Sequence, residues 1–139
     1  MKKIIIILAM FFFTTLLNAK PINPEEIIKL FDVCKIKSSL GQMCKMNDFK
    51  SYDYFKGLSE EVNDNVVHYK DGDFWEFFFT IEKQEKDTLI VGFEDIALRG
   101  TYKSYSLLKF VYDKSENKWQ LNSIKNLLPE EDSDFQLIK

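Results

Sequence analysis

Hydrophobic residues near the start of the chain recur with the period of a helix. Four apolar positions share one stripe and are Ile27, Leu30, Phe31 and Cys34. Asn23 stands where an N-cap residue belongs, and Pro24 follows at the first helical position, for which its fixed φ angle is suited. The pattern predicts one amphipathic helix that begins at Pro24 and continues past Cys34.

From residue 65 onward the hydrophobic period changes to two, which is typical of strands with one buried face. Asp71 and Gly72 lie between two apolar runs and predict a hairpin turn. The aromatic residues that share one face of the following strand are Trp75, Phe77 and Phe79. Gly92 lies inside a later strand and predicts a β-bulge. We therefore expect a meander of antiparallel strands joined by short turns.

The helical and strand patterns together predict an α+β domain. Its N-terminal helix is expected to pack on a curved antiparallel β-sheet of four to five strands. The chain of 139 residues contains 13 Phe, 6 Tyr and 2 Trp, which supply enough apolar surface for one core. No internal repeat or low-complexity linker divides the sequence. Residues 20–139 are therefore predicted to form a single domain.

The first 19 residues are typical of an export signal. Lys2 and Lys3 precede an apolar run, and Ala19 offers the small side chain that cleavage requires. The apolar run is shorter than the roughly 20 residues that a membrane-spanning helix needs, so we expect no stable membrane anchor. The sequence predicts a bacterial periplasmic or secreted protein whose signal peptide, residues 1–19, is removed near Ala19.

Cys34 and Cys44 are the only cysteines, and an exported protein usually joins such a pair in a disulfide. A continuous helix would hold their Cα atoms about 15 Å apart, whereas a disulfide needs about 4.4 to 6.8 Å. The helix must therefore end between them, and Gly41 is the expected left-handed residue after its end. The spacing does not fit a redox pair, and His68 is the only histidine, so no metal site is expected.

The formal net charge is −3, and it becomes −5 when the signal peptide leaves with its two lysines. This sign argues against binding to nucleic acid, which needs a basic surface. Four acidic residues follow Pro129 and are Glu130, Glu131, Asp132 and Asp134. They predict either a flexible acidic tail from about residue 129 or a surface that docks on a basic protein partner.

A resemblance to known families rests on the closing hairpin and on the order of helix first, meander second. The hairpin positions that carry it are Phe110, Val111, Tyr112, Lys118, Trp119, Leu121 and Ile124. They resemble the nuclear-transport-factor-2-like and cystatin-like α+β domains. The resemblance implies a roll in which the sheet curves around the helix, and it transfers no function.

The same resemblance suggests where a pocket would lie, because the enzymatic branch of the transport-factor-like family places a carboxylate or a histidine between helix and sheet. The candidate pocket residues are Trp75, Phe77, Phe79, His68 and Asp95. His68 precedes a hairpin turn and Asp95 lies near a strand end, where partly exposed and solvated residues are ordinary. Known catalytic motifs are absent from the sequence, so no catalytic residue or cofactor is predicted.

These features favour an exported binding protein without catalytic activity, which neutralises or inhibits a protein partner in the manner of an immunity protein or an enzyme inhibitor. The alternative is a transport-factor-like small-molecule-binding protein or enzyme with an aromatic pocket between helix and sheet. The oligomeric state stays open, and sheets of this kind also form homodimers.

Overall fold

The computed structural model describes residues 21–128 and 136–137. In this part of the chain, a curved antiparallel sheet packs one face against a helical N-terminal segment, which makes the fold α+β. The predicted signal peptide lies outside the described residues, and so do the four tail acids Glu130, Glu131, Asp132 and Asp134.

The sheet is a meander in which every strand pairs with its neighbours in the sequence. Its strands are β1 (Ser59–Asn63), β2 (Val66–Asp71), β3 (Trp75–Glu85), β4 (Thr88–Ala97), β5 (Lys103–Asp113), β6 (Lys118–Leu128) and the two-residue β7 (Gln136–Leu137). The prediction of four to five strands is too low. It missed β1, whose five residues are all exposed and therefore lack the alternation that reveals a half-buried strand.

Two glycines decide the local shape of the sheet. Gly72 has a φ of 54° in the turn between β2 and β3, which confirms the predicted hairpin. The predicted bulge at Gly92 is wrong, because the register shifts in β3 between Ile81 and Lys83 instead. Gly92 is required for a different reason: a Cβ atom there would lie 2.8 Å from the Tyr105 hydroxyl. The glycine makes room for a side chain that crosses the outer face of the sheet.

The single N-terminal helix that was predicted is replaced by two short 3-10 helices, Pro24–Lys29 and Val33–Lys35. The start is as predicted, since the Asn23 side chain accepts a backbone hydrogen bond at 3.2 Å. The helix ends early because Asp32 is extended and its side chain accepts a hydrogen bond from the Cys34 amide at 3.0 Å. The Asp32 side chain thus gives a backbone amide a local hydrogen-bond acceptor in place of the carbonyl that a continuous helix would supply.

The disulfide between Cys34 and Cys44 is confirmed, with a Cα–Cα distance of 5.5 Å. The loop that it closes turns through two more 3-10 helices, Ser39–Gly41 and Met43–Lys45. Gly41 does not adopt the predicted left-handed conformation, since Gly72 is the only described glycine with a positive φ angle. The one α-helix in the described residues, α1, follows at Ser51–Lys56.

Two aromatic side chains from the helical segment fill the inner face of the sheet. Phe55 of α1 is buried, and its ring centroid lies 5.3 Å from that of Phe77 and 5.2 Å from that of Phe79. Phe31 packs 5.5 Å from Phe79 and 6.4 Å from Phe93. The centre of the sheet is therefore covered by closely packed rings.

Candidate functional site

The five residues that were predicted to line a pocket do not meet at one site. Phe77 and Phe79 are fully buried in the core, and Asp95 is fully buried on the same inner face. Trp75 is half-buried near the end of β3. His68 alternates with the buried residues of β2 and therefore points to the outer face of the sheet. The histidine and the carboxylate are thus separated by the sheet itself.

His68 belongs to a polar and aromatic row on the outer face. Its ring stacks on Phe78 with centroids 4.2 Å apart and an interplanar angle of 5°. Nε2 lies 3.6 Å from a carboxylate oxygen of Glu76, and Nδ1 lies 4.0 Å from one of Glu61. The ring is therefore held between a phenyl face and two acids on the surface of the sheet.

Asp95 is a buried carboxylate that the chain itself covers. Its Oδ2 accepts a hydrogen bond of 2.5 Å from the backbone amide of Ser39. Among the described residues, the other carboxylate oxygen, Oδ1, has no hydrogen-bond partner. Burial raises the pKa of Asp95, while the backbone amide and then the hydroxyl of Ser39 favour the charged form and oppose that rise. The expectation of a solvated strand-end acid is wrong.

The loop that covers Asp95 is the one closed by the disulfide, because Ser39 lies between Cys34 and Cys44. Disulfides persist in oxidising compartments, so this bond points to a location outside the cytoplasm. In the described part of the chain, every helix is too short or too polar to cross a lipid bilayer.

Two neighbouring turns carry two of the exposed large apolar side chains in the part of the chain that the structure describes. Phe74 is the last residue of the turn between β2 and β3, and Leu98 begins the turn between β4 and β5. The Leu98 amide donates a hydrogen bond of 2.8 Å to the Phe74 carbonyl, which holds the two turns together. The side chains remain 58% and 40% exposed, respectively. We call this surface, with Asp73 and Arg99, the hairpin tip.

Arg99, the only arginine of the chain, completes the hairpin tip. Its guanidinium carbon lies 5.1 Å from the centroid of the Phe74 ring, within the range of a cation–π interaction. A guanidinium nitrogen also lies 3.6 Å from a carboxylate oxygen of Asp73. The guanidinium therefore lies against the exposed Phe74 ring and beside an acid of the same surface.

The base of the hairpin tip is rigid. Trp75 and Tyr102 meet edge to face with centroids 5.6 Å apart, and burial raises the pKa of Tyr102. The Tyr54 hydroxyl donates a hydrogen bond of 2.7 Å to Asp71, which anchors the first turn to α1. Burial, followed by this bond to Asp71, raises the pKa of Tyr54. The arrangement presents an apolar surface and a guanidinium on fixed supports, which suits binding rather than proton transfer.

Sequence reasoning identified Trp75 and Asp95 but missed Phe74, Leu98 and Arg99 as surface residues. Phe74 directly precedes the aromatic residues of β3, so the sequence does not distinguish it from that strand. A large aromatic residue within three positions of an Asp-Gly turn could have indicated exposure, because turns lie at the surface. Which turns become neighbours depends on strand pairing, which the local pattern does not specify.

Comparison with protein-family models, with curated proteins and with solved structures found no significant match, so the resemblance to transport-factor-like and cystatin-like domains stays a prediction.

Proposed function

We propose that this domain is an exported binding protein that neutralises or inhibits a protein partner, and that the hairpin tip is its docking surface. The observation that carries the proposal is the exposure of Phe74 and Leu98 side by side on neighbouring turns, with Arg99 over the phenyl ring. Aromatic and arginine side chains dominate the binding energy of protein interfaces. A contiguous apolar surface at the end of a sheet therefore supports a docking role.

The restraint on this surface also supports binding. The Phe74 carbonyl is hydrogen-bonded to the next turn, and Arg99 is held by Asp73 as well as by the ring. Side chains that are already ordered lose less conformational entropy when a partner binds. The net charge of −5 that is expected once the signal peptide leaves would speed the approach of a basic partner at low salt.

The positions of the titratable candidates favour a role without catalysis. Asp95 is covered by Ser39, and His68 lies on the other face of the sheet. These two groups cannot act on one substrate in this conformation, since a general acid or base must reach the reacting atoms directly or through one water.

The proposal is tested by isolating the partner from the envelope or culture fraction of the native host with tagged residues 20–139 as bait. The purified partner is then titrated by calorimetry against wild type and three variants: Phe74→Asp, Leu98→Asp and the control Val62→Asp. Val62 and Leu98 are equally exposed at 40%, but Val62 lies on β1. We expect the two tip variants to weaken binding at least about 30-fold and Val62→Asp to bind like wild type.

Equal binding by Leu98→Asp and wild type would contradict the docking role, and so would a wild-type bait that retains no specific protein at low salt. Light scattering after gel filtration adds a further check. If Phe74→Asp converts a wild-type dimer into a monomer, the hairpin tip is a self-association surface and the proposal is wrong. Inhibition is tested by adding the wild-type chain to the partner in its own activity assay.

A second candidate function, binding of a small molecule between helices and sheet, is favoured by one observation. Asp95 Oδ1 is buried without a hydrogen-bond partner among the described residues, and the hydroxyls of Ser39 and Ser104 are buried beside this carboxylate. A small polar ligand would satisfy this oxygen if the loop around Ser39 opened. Thermal-shift screening of wild type against Asp95→Asn tests this, because a ligand held there must lose its stabilising effect in the variant.

A further inference from the structure

A second surface lies at the opposite end of the sheet from the hairpin tip. In a meander the turns alternate between ends, so the turn between β5 and β6 is remote from those that carry Phe74 and Leu98. Next to it, a groove of about 460 Å³ separates the helical segment from β6. A smaller groove of about 290 Å³ shares Lys29, Leu30 and Trp119 with it and extends it toward residue 21.

The groove follows the edge of a strand. Its β6 wall consists of four successive residues, 118–121. Because side chains alternate between the faces of a strand, four successive residues can line one groove only along the strand edge. Within the described residues, β7 pairs only with Ser123 and Ile124 of this edge. Beside residues 118–122, no strand of the described chain pairs with this edge, so its backbone groups can hydrogen-bond to a further strand.

The floor of the groove is apolar and contains an oriented tryptophan. Trp119 is half-buried and meets Tyr112 edge to face with centroids 5.3 Å apart. Leu30 and Phe31 face it from the helical segment and are also half-buried. A side chain that enters the groove would cover a large aromatic surface.

The rim of the groove is basic although the whole chain is acidic. Lys29 and Lys35 line the helical wall, and neither has an ion-pair partner among the described residues. Lys118 lines the other wall and pairs with Glu116. Glu26 is the one acidic residue that lines either part of the groove in the described chain. The unpaired lysines therefore favour a negatively charged occupant.

We propose that this groove binds an extended acidic segment of a partner protein, which adds as a strand to the edge of β6. Its carboxylates pair with Lys29 and Lys35, and an apolar side chain packs on Trp119. Main-chain hydrogen bonds to a sheet edge supply affinity in this mode, and the side-chain contacts supply specificity. The site goes beyond the proposed function, because it shares no residue with the hairpin tip.

The test uses a synthetic peptide with alternating Glu and Leu residues, titrated into residues 20–139 in a Trp75→Phe background. Fluorescence then reports on Trp119, the remaining tryptophan. We expect saturable binding that weakens with salt. Lys29→Glu with Lys35→Glu should weaken it at least tenfold, whereas Lys45→Glu, an exposed lysine of the helical segment outside the groove, should leave it unchanged.

Three companion peptides and one variant make the test decisive. The same peptide with Lys in place of Glu, a peptide of Glu and Ser, and the Glu–Leu peptide N-methylated at alternate residues should all bind at least tenfold more weakly. Equal binding by any of these, or no effect of the double lysine variant, overturns the proposal. Leu98→Asp must leave the titration unchanged, which separates this test from that of the hairpin tip.

Discussion

The backbone amide of Ser39 donates a hydrogen bond of 2.5 Å to the carboxylate of Asp95, across 56 positions of sequence. This bond joins the disulfide-closed loop to the inner face of the sheet. It also covers a carboxylate whose pKa is raised by burial, so that the acid is unfavourable to ionise in the folded chain.

Asp95→Asn is expected to remove a loss of stability that the wild type suffers as the pH rises. Below the ordinary pKa of 3.8, Asp95 is protonated in both the folded and the unfolded chain. Above it, the unfolded chain loses its proton first, so the free energy of unfolding falls until the pH passes the raised folded pKa. Asn keeps an acceptor for the Ser39 amide and does not titrate. Urea unfolding at several pH values should show that the free energy of unfolding of the variant rises relative to that of wild type as the pH increases.

Asp113→Asn is the matched control with the opposite sign. A hydrogen bond from the Ser115 hydroxyl, followed by the backbone amides of Glu116 and Ser115, lowers the pKa of this exposed carboxylate below 3.8. Its contribution to stability is present above that ordinary value and is lost as the pH falls through the folded pKa. The free energy of unfolding of Asp113→Asn should therefore decrease relative to that of wild type as the pH rises. If the free energy of unfolding had the same pH dependence in wild type and in Asp95→Asn, the raised pKa of Asp95 would be contradicted.

Replacing both Cys34 and Cys44 with Ser should lower the free energy of unfolding by about 2.8 kcal/mol. This is the chain-entropy value for a closed loop of about 11 residues, and strain or residual structure in the unfolded chain would reduce it. Urea unfolding of the double variant measures the loss, and wild type in reducing agent should show a similar one. A loss well above this value would mean that the loop also holds Asp95 through Ser39.

Phe55→Ala and Phe74→Ala remove the same side chain from opposite environments. Phe55 is 1% exposed among the core rings, so its loss should cost about 3 to 5 kcal/mol of unfolding free energy. Phe74 is 58% exposed, so its loss should cost less than about 0.5 kcal/mol. Chemical denaturation of both variants checks the difference. A large cost at Phe74 would mean that the hairpin tip serves stability rather than docking.

Local pattern was sufficient where one residue type had one physical role. The period of two predicted the meander, and the need for a left-handed residue predicted the hairpin at Gly72. Side-chain capping predicted the helix start at Asn23, and the distance that two bonded cysteines require predicted the break in the helix before the disulfide closes. The continuous N-terminal helix failed because Asp32 bonds to its own backbone, a local competition that the spacing of apolar residues does not reveal.

The candidate site was harder to predict because it depends on distant parts of the chain. Asp95 continues the buried alternation of Val91 and Phe93, so the period-two pattern could have placed it on the inner face, although its charge led to the expectation of a solvated residue. What the pattern could not show was that a loop 56 positions earlier would cover it. The contact between Phe74 and Leu98 likewise arises only when β3 and β4 pair and bring their turns together.

Gly92→Ala should separate two side chains that lie across the outer face of the sheet. An added Cβ would lie 2.8 Å from the Tyr105 hydroxyl and 2.9 Å from a carboxylate oxygen of Glu82, and these two atoms are joined by a hydrogen bond of 3.1 Å. Overpacking in a core costs about 1 to 3 kcal/mol, and we expect the low end of that range here because the two obstructing atoms are the ends of side chains on the outer face. In a Tyr105→Ala background the same change should cost less than about 0.5 kcal/mol, because the obstructing ring is gone.

The Tyr105 ring provides a direct readout of the same change. Burial, followed by the bond to Glu82, raises the pKa of Tyr105 to about 12 from its ordinary value of 10.0. In Gly92→Ala the displaced phenol should titrate closer to that ordinary value, which NMR of isotope-labelled tyrosine rings can follow. Gly41→Ala is the control, since its added Cβ would meet no atom within 4 Å among the described residues and its φ angle is not positive. An unchanged Tyr105 titration in Gly92→Ala would show that the ring does not need the space that Gly92 leaves.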